Sequence, residues 1–481
     1  MVEQLKRLQS GIEGLDALLK GGLVAGASYI VQGRPGSGKT ILANQIAFNH
    51  VRNGGRVLVA TLLSESHERL FQFLSTLSFF DKTRIGAEVQ FVSAFDTLEN
   101  EGLDEVVKLL RREISRQKAT VLIVDGLLNA RIKADTQLDT KKFISELQGH
   151  AAFAGCTVLF LTSSRLDDGS PEHTMVDGVI ELGEELYGTR SVRRIQLRKT
   201  RGSGALSGLH ECEITDDGLV VYPRLESLYS RPSCAESDEL TRIPSGIPRL
   251  DTLIGGGLPS TSVTLIMGPS GIGKTSLGIN FLAQATPEAP ALHFGFYETP
   301  QRLRLKARAI GHDLAAMEAS GALHMIWQPT TAGLLDALGA KLLNTVRTLG
   351  IKRVLIDSLG GMARVTTNTP RLVEFFSALM NELRALGVTV FATWEMRDLF
   401  GAEINAPAPE LSSIVDNLIL MRFVELDSEL KRLFSILKMR DSFYDPSLLE
   451  VVINDHGIDL NKAFKHAAAV LSGSATPIPD A

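Results

Sequence analysis

The chain has 481 residues, 44% of them hydrophobic and 22% charged, with a formal net charge of −5. That length exceeds a single core and implies two or three domains, while the acidic balance disfavours a bulk electrostatic grip on nucleic acid. Cys156, Cys212 and Cys234 form no C-x-x-C pair, and neither an apolar leader at residues 1–6 nor an apolar run long enough for a bilayer is present; a disulfide framework, a cysteine zinc site and a membrane partner are thus disfavoured, and the expectation is a cytoplasmic protein.

In chain order, the first predicted strand, 27–31, feeds Gly33-Arg34-Pro35-Gly36-Ser37-Gly38-Lys39-Thr40, a G-x-x-x-x-G-K-[ST] loop. Such a loop uses glycines to turn backbone N–H groups toward a polyphosphate, a lysine to reach the β- and γ-phosphates and a hydroxyl to help hold Mg²⁺. The amphipathic run 40–51 is the predicted helix whose N-terminus receives the phosphates. Apolar strands follow at 56–60, 120–125 and 157–161, and Lys199-Thr200-Arg201 closes a later one. Beyond a stretch rich in Ser, Pro and acidic residues at 228–240, the order recurs. A strand at 262–266 enters Gly268-Pro269-Ser270-Gly271-Ile272-Gly273-Lys274-Thr275, strands follow at 291–295, 353–357 and 388–392, and Lys438-Met439-Arg440 comes late.

The two loop lysines lie 274 − 39 = 235 positions apart, and Arg7-Leu8-Gln9-Ser10-Gly11-Ile12 matches Arg242-Ile243-Pro244-Ser245-Gly246-Ile247 at the same offset. The chain therefore reads as a tandem duplication, with one domain at 1–227, a linker at 228–240, a second domain at 241–466 and a flexible tail at 467–481. Continuous apolar strands alternating with helices predict an α/β fold, each domain a mainly parallel sheet covered by helices on both faces. The predicted nucleotide-binding set is Gly33, Pro35, Gly36, Ser37, Gly38, Lys39, Thr40 and Ile41 in the first domain. In the second it is Gly268, Ser270, Gly271, Ile272, Gly273, Lys274, Thr275 and Ser276.

Asp125 and Asp357 each close a buried apolar strand. A carboxylate at that edge, beside the loop threonine, either holds Mg²⁺ with Thr40 or Thr275, or caps the next turn. Glu65 and Glu298 follow the second strand of each half, where a glutamate can orient water or accept a proton, or simply favour a helix start. Lys199, Arg201, Lys438 and Arg440 sit at strand ends. They can reach a neighbouring subunit's nucleotide as an arginine finger does, or form a solvated basic edge. Ser412 and Ser413 are adjacent hydroxyls that by themselves read as turn or cap residues.

These features together resemble the KaiC family of clock ATPases, a branch of the RecA-like ATPases. The resemblance rests on Ser10 to Asp16 and Ser245 to Asp251 (S-G-I-x-x-L-D), both loops, both K-x-R motifs and Leu411-Ser412-Ser413-Ile414-Val415-Asp416-Asn417. It implies tandem RecA-like P-loop domains binding ATP and Mg²⁺ in a two-tier ring of six copies, with nucleotide between neighbours and regulatory protein partners. It also implies that Lys199, Arg201, Lys438 and Arg440 contact the neighbour's nucleotide and that Ser412 and Ser413 are acceptors for an autokinase. The family's active halves carry two adjacent glutamates where this chain has Ser64-Glu65 and Tyr297-Glu298, and a glycine where it has Asp441, so slow hydrolysis is expected. A nucleotide-gated scaffold without phosphotransfer and a RecA-like DNA-dependent ATPase stand as alternatives.

Overall fold

The computed structural model describes residues 5–64, 66–134, 136–163, 170–234, 241–330, 333–396, 411–426, 429–455 and 457–461, together with the pairs 467–468 and 476–477. Its chain divides into two compact units, Met1–Leu228 and Tyr229–Ala481.

The first unit is built on nine strands: β1 Ser28–Gly33, β2 Val57–Thr61, β3 Val89–Ser93, β4 Val121–Asp125, β5 Thr157–Thr162, β6 Gly178–Tyr187, β7 Arg190–Thr200, β8 Leu209–Thr215 and β9 Gly218–Tyr222. They lie in the order β3-β2-β4-β5-β1-β6-β7-β8-β9. β3 through β6 in that order run parallel, and β7 to β9 extend the sheet as an antiparallel meander. The principal helices are α1 Lys39–Arg52, α2 His67–Leu74, α3 Leu103–Gln117, α4 Gln137–Phe153 and α5 Pro171–Met175. Successive strand side chains point to opposite faces, so each strand feeds two cores. Tyr29, Val31, Val57, Val59, Val121 and Ile123 join α1, whereas Ile30, Leu58, Ala60, Leu122 and Val124 join α3 and α4. Burial on both faces accounts for the unbroken apolar runs of the parallel strands.

The second unit repeats the plan with β10 Val263–Gly268, β11 Ala291–Gly295, β12 Leu323–Trp327, β13 Arg353–Asp357, β14 Thr389–Glu395, β15 Asn417–Leu426, β16 Glu429–Met439, β17 Leu449–Asn454 and β18 Gly457–Asn461. Its order, β12-β11-β13-β14-β10-β15-β16-β17-β18, is that of the first unit with nine added to every label. α6 Lys274–Leu282 and α7 Pro300–Arg308 cover one core, while α8 Leu335–Leu349 and α9 Leu372–Ala385 bury rows of their own, Leu338 and Leu342 in one and Phe375 and Leu379 in the other. α10, Leu411–Ile414, precedes β15. Both units are RecA-like α/β domains, each mainly parallel with helices on both faces. Beyond the predicted strands the structure adds β3, β6, β8 and β9 in the first unit and β12, β15, β17 and β18 in the second.

Residues 229–234, inside the span predicted as linker, pack on the second unit. The Arg347 guanidinium lies 5.3 Å from the Tyr229 ring centre. Ser233 donates through its backbone N and its Oγ to the fully buried Glu382 carboxylate, at 2.8 and 2.5 Å. In the predicted tail, Ala467–Ala468 pairs with Thr476–Pro477.

Candidate nucleotide sites

Each phosphate loop leaves a buried first strand and enters a helix through a left-handed backbone that glycine adopts without strain. Gly38 has φ +100° and Gly273 φ +114°, and a Cβ on either would press on Ile214 or Ile453 at 2.9 or 2.8 Å. The first turn of α1 and of α6 therefore opens with its backbone N–H groups directed into the loop.

Lys39 sits inside its loop, its Nζ donating to the carbonyls of Gly33 and Arg34 at 2.9 Å. Lys274 does the same toward Gly268 and Pro269 at 2.7 Å. Burial lowers both lysine pKa values; the charge of Asp125 opposes this at Lys39, and Glu395 followed by Asp357 at Lys274. An ammonium group desolvated among carbonyls gains from an arriving polyanion.

The loop threonines meet the strand-end carboxylates. Thr40 Oγ1 donates to Asp125 at 3.3 Å, and Thr275 Oγ1 to Asp357 at 2.8 Å. The other Asp357 oxygen accepts from Thr393 Oγ1 at 2.5 Å. A hydroxyl and a carboxylate are hard oxygen donors of the kind Mg²⁺ takes, usually with waters and substrate phosphates completing its shell. In the first loop the Ser37 hydroxyl is 4% exposed and has no hydrogen-bond partner, a polar atom that an incoming phosphate would satisfy. The residues present fit ATP with Mg²⁺. Among the described residues no cluster of three or more His, Cys, Asp or Glu could hold a metal ion alone.

The two cavities differ in chemistry. That of the first unit, about 210 Å³, has Val59, Leu63, Leu70, Phe91 and Leu161 on its walls. That of the second, about 320 Å³, gathers His293, Glu298, Lys306, Asp357, Thr393 and Glu395. Glu298 is ion-paired with Lys306. His293 is 2% exposed, and burial lowers its pKa against the opposing charges of Asp357 and Glu298. Glu65 lies outside the described residues.

Lys199, Arg201, Lys438 and Arg440 line neither cavity. Instead they grip the short helix ahead of the hairpin in their own unit. Lys199 Nζ donates to the carbonyls of His173 and Val176 at 2.7 and 2.6 Å, and Arg201 to that of Thr174 at 3.1 Å. Lys438 donates to Ser412 and Val415 at 2.6 and 2.7 Å, and Arg440 to Ser413 at 2.9 Å. Ser412 and Ser413 are exposed on α10, so His173-Thr174 and Ser412-Ser413 are structural equivalents. His293, Lys306, Thr393 and Glu395 were not anticipated as site residues. Glu395 carried a weaker signal, an acid three residues past the strand predicted at 388–392, and it closes the observed strand.

The sequence model of the KaiC ATPase family matches residues 8–226 and again 243–464. The chain belongs to the KaiC ATPase family. It is 26% identical to the circadian clock oscillator protein KaiC of Picosynechococcus sp. over 493 aligned positions, covering 99% of this chain and 94% of that protein. Identity to KaiC of Synechococcus elongatus is 25%, covering 99% of this chain and 93% of the relative, and to KaiC of Parathermosynechococcus lividus 27%, covering 98% and 89%. The KaiC match thus spans both phosphate loops, and the chain is a divergent tandem ATPase of that family. Among its described residues no helix is long and apolar enough to cross a membrane.

Proposed function

We propose that this chain binds MgATP at both phosphate loops and hydrolyses it slowly within a ring of identical copies. The observation that carries the reading is the duplicated constellation of a buried loop lysine, a loop threonine and a strand-end aspartate joined to that threonine. The loop amides and Lys39 or Lys274 hold the phosphate tail. Thr40 with Asp125, and Thr275 with Asp357, hold Mg²⁺, which when bound offsets charge developing on the phosphates. Lys199 and Arg201, and Lys438 and Arg440, face a neighbouring copy's nucleotide in the ring. Since each unit already uses them to brace a helix, reaching a neighbour's phosphates costs them those carbonyls, in keeping with a low rate.

Titration calorimetry with MgATP is expected to give two sites per chain, and Lys39→Ala and Lys274→Ala one each. Intact binding at both sites in either variant, or no binding by the parent, overturns the proposal. Native mass spectrometry with ATP is expected to show a closed ring, six copies by analogy; a persistent monomer would contradict it.

A second reading, autophosphorylation at Ser412 or Ser413, is favoured by the exposure of both side chains next to Lys438 and Arg440. A phosphate there adds about −1.5 to −2 charges beside two cations. Labelled ATP should mark the parent and spare the Ser412→Ala/Ser413→Ala double variant; equal labelling selects the nucleotide-gated scaffold or the plain ATPase.

A further inference from the structure

Three carboxylates line the second cavity, and two are occupied. Asp357 accepts from Thr275 and Thr393, one on each oxygen, and Glu298 is paired with Lys306. The third, Glu395, forms no hydrogen bond or ion pair among the described residues, and its side chain is exposed toward the cavity it lines. The parallel register of β10 with β14 pairs Glu395 with Gly268, the first residue of the phosphate loop. Lys274 lines the same cavity. A basic oxygen beside the loop, with no partner to satisfy, meets the positional need of a group that takes a proton from an attacking water.

The first unit supplies an internal comparison. There Val31 pairs with Leu161 and Gln32 with Thr162, so the place of Glu395 falls to Ser163 and that of Thr393 to Leu161. Both line the first cavity. A hydroxyl thus stands where the second unit has a carboxylate.

We propose that Glu395 is the general base of the second nucleotide site and that its absence from the register-equivalent place makes the second site the faster of the two. This inference rests on the reading of that cavity as an ATP site. In the step concerned, a water oxygen bonds to the γ-phosphorus. The bond from that phosphorus to the β–γ bridging oxygen breaks, and its electron pair leaves on ADP. The proton released by the water passes to a Glu395 carboxylate oxygen, and from there to phosphate or solvent.

The test uses the full chain carrying Lys39→Ala, so that only the second site reports. Adding Glu395→Gln is expected to lower ATP turnover about 10²-fold, the lower end for a general base, and to remove the acid limb of the pH–rate profile. MgATP affinity by calorimetry is expected to hold or tighten, because a negative charge beside the phosphates has gone. In the converse background, Lys274→Ala, adding Ser163→Glu is expected to raise turnover at the first site. Undiminished turnover in Glu395→Gln with intact binding sinks this inference and leaves the nucleotide reading standing. Weakened binding together with a raised Mg²⁺ requirement also overturns it, assigning Glu395 to the metal. No measurable turnover before Glu395 is changed overturns it as well. If the Lys39→Ala protein binds no ATP, the nucleotide reading of this cavity fails, and the inference with it.

Discussion

Asp441 occupies a backbone conformation suited to glycine, with φ +57°, while its equivalent in the first unit is Gly202 at φ +66°. An L-residue there is strained, so Asp441→Gly is expected to stabilise the second unit by about 1 kcal/mol, read from chemical denaturation; a loss of stability would show that the carboxylate has a compensating role. His293 makes a second prediction. Burial holds its folded pKa below the ordinary value near 6.5, so the unfolded chain binds more protons as pH falls through 6.5. Stability should therefore drop on acidification, by at most about 1.4 kcal/mol per pH unit from this group. His50, His67 and His312 shift in the same direction, also through burial, so His293→Gln should reduce the slope between pH 7 and 5 without abolishing it. An unchanged slope would refute its neutral burial. At this scale the sequence exposed whatever a local pattern requires: the loop lysines, the threonines and the strand-end aspartates. His293 and Lys306 were illegible because their roles arise from β11 and α7 meeting over one cavity, which no local spacing announces.

Among elements, the four central parallel strands of each half were readable because burial on both faces makes their apolar runs continuous, as in Val121–Asp125 and Arg353–Asp357. The edge strands β3 and β12 and most of each meander were not, since such strands stay partly wet. In β7, arginines interleave with buried Val192, Ile195 and Leu197, and charge obscured the alternation. The stretch 229–234 was read as linker from its Ser and Pro content, which says nothing of the helix faces that receive it. Here Glu382 is fully buried and accepts from Arg347 at 2.5 Å as well as from Ser233. Glu382→Ala is expected to destabilise the second unit by about 3 kcal/mol, at the low end for breaking a buried pair because Arg347 keeps 33% of its side chain in water. Denaturation of the variant measures this, and a change below 0.5 kcal/mol, the ordinary surface range of about ±0.5 kcal/mol, would show the latch to be idle.

For the whole molecule, thiol reactivity offers a check on both units at once. Burial pushes Cys156 and Cys212 up to about 12, while Cys234 is exposed. One rapid alkylation per native chain is expected, at Cys234, and three after denaturation; native labelling of Cys156 or Cys212 would mean that the corresponding sheet opens. The duplication itself was plain in the sequence, because both halves keep the same punctuation of glycines, but only the sheet order reveals how complete the copying is. The hairpins carry it furthest. In both, the ladder slips one residue at the same place: Val179 faces Lys199 and Ile180 faces Leu197, as Leu418 faces Lys438 and Ile419 faces Ile436. The ladder of β6 with β7 and that of β15 with β16 therefore share a kink at equivalent positions. Their shared register has a cost: deleting a single residue from either would turn the strand beyond the kink inside out.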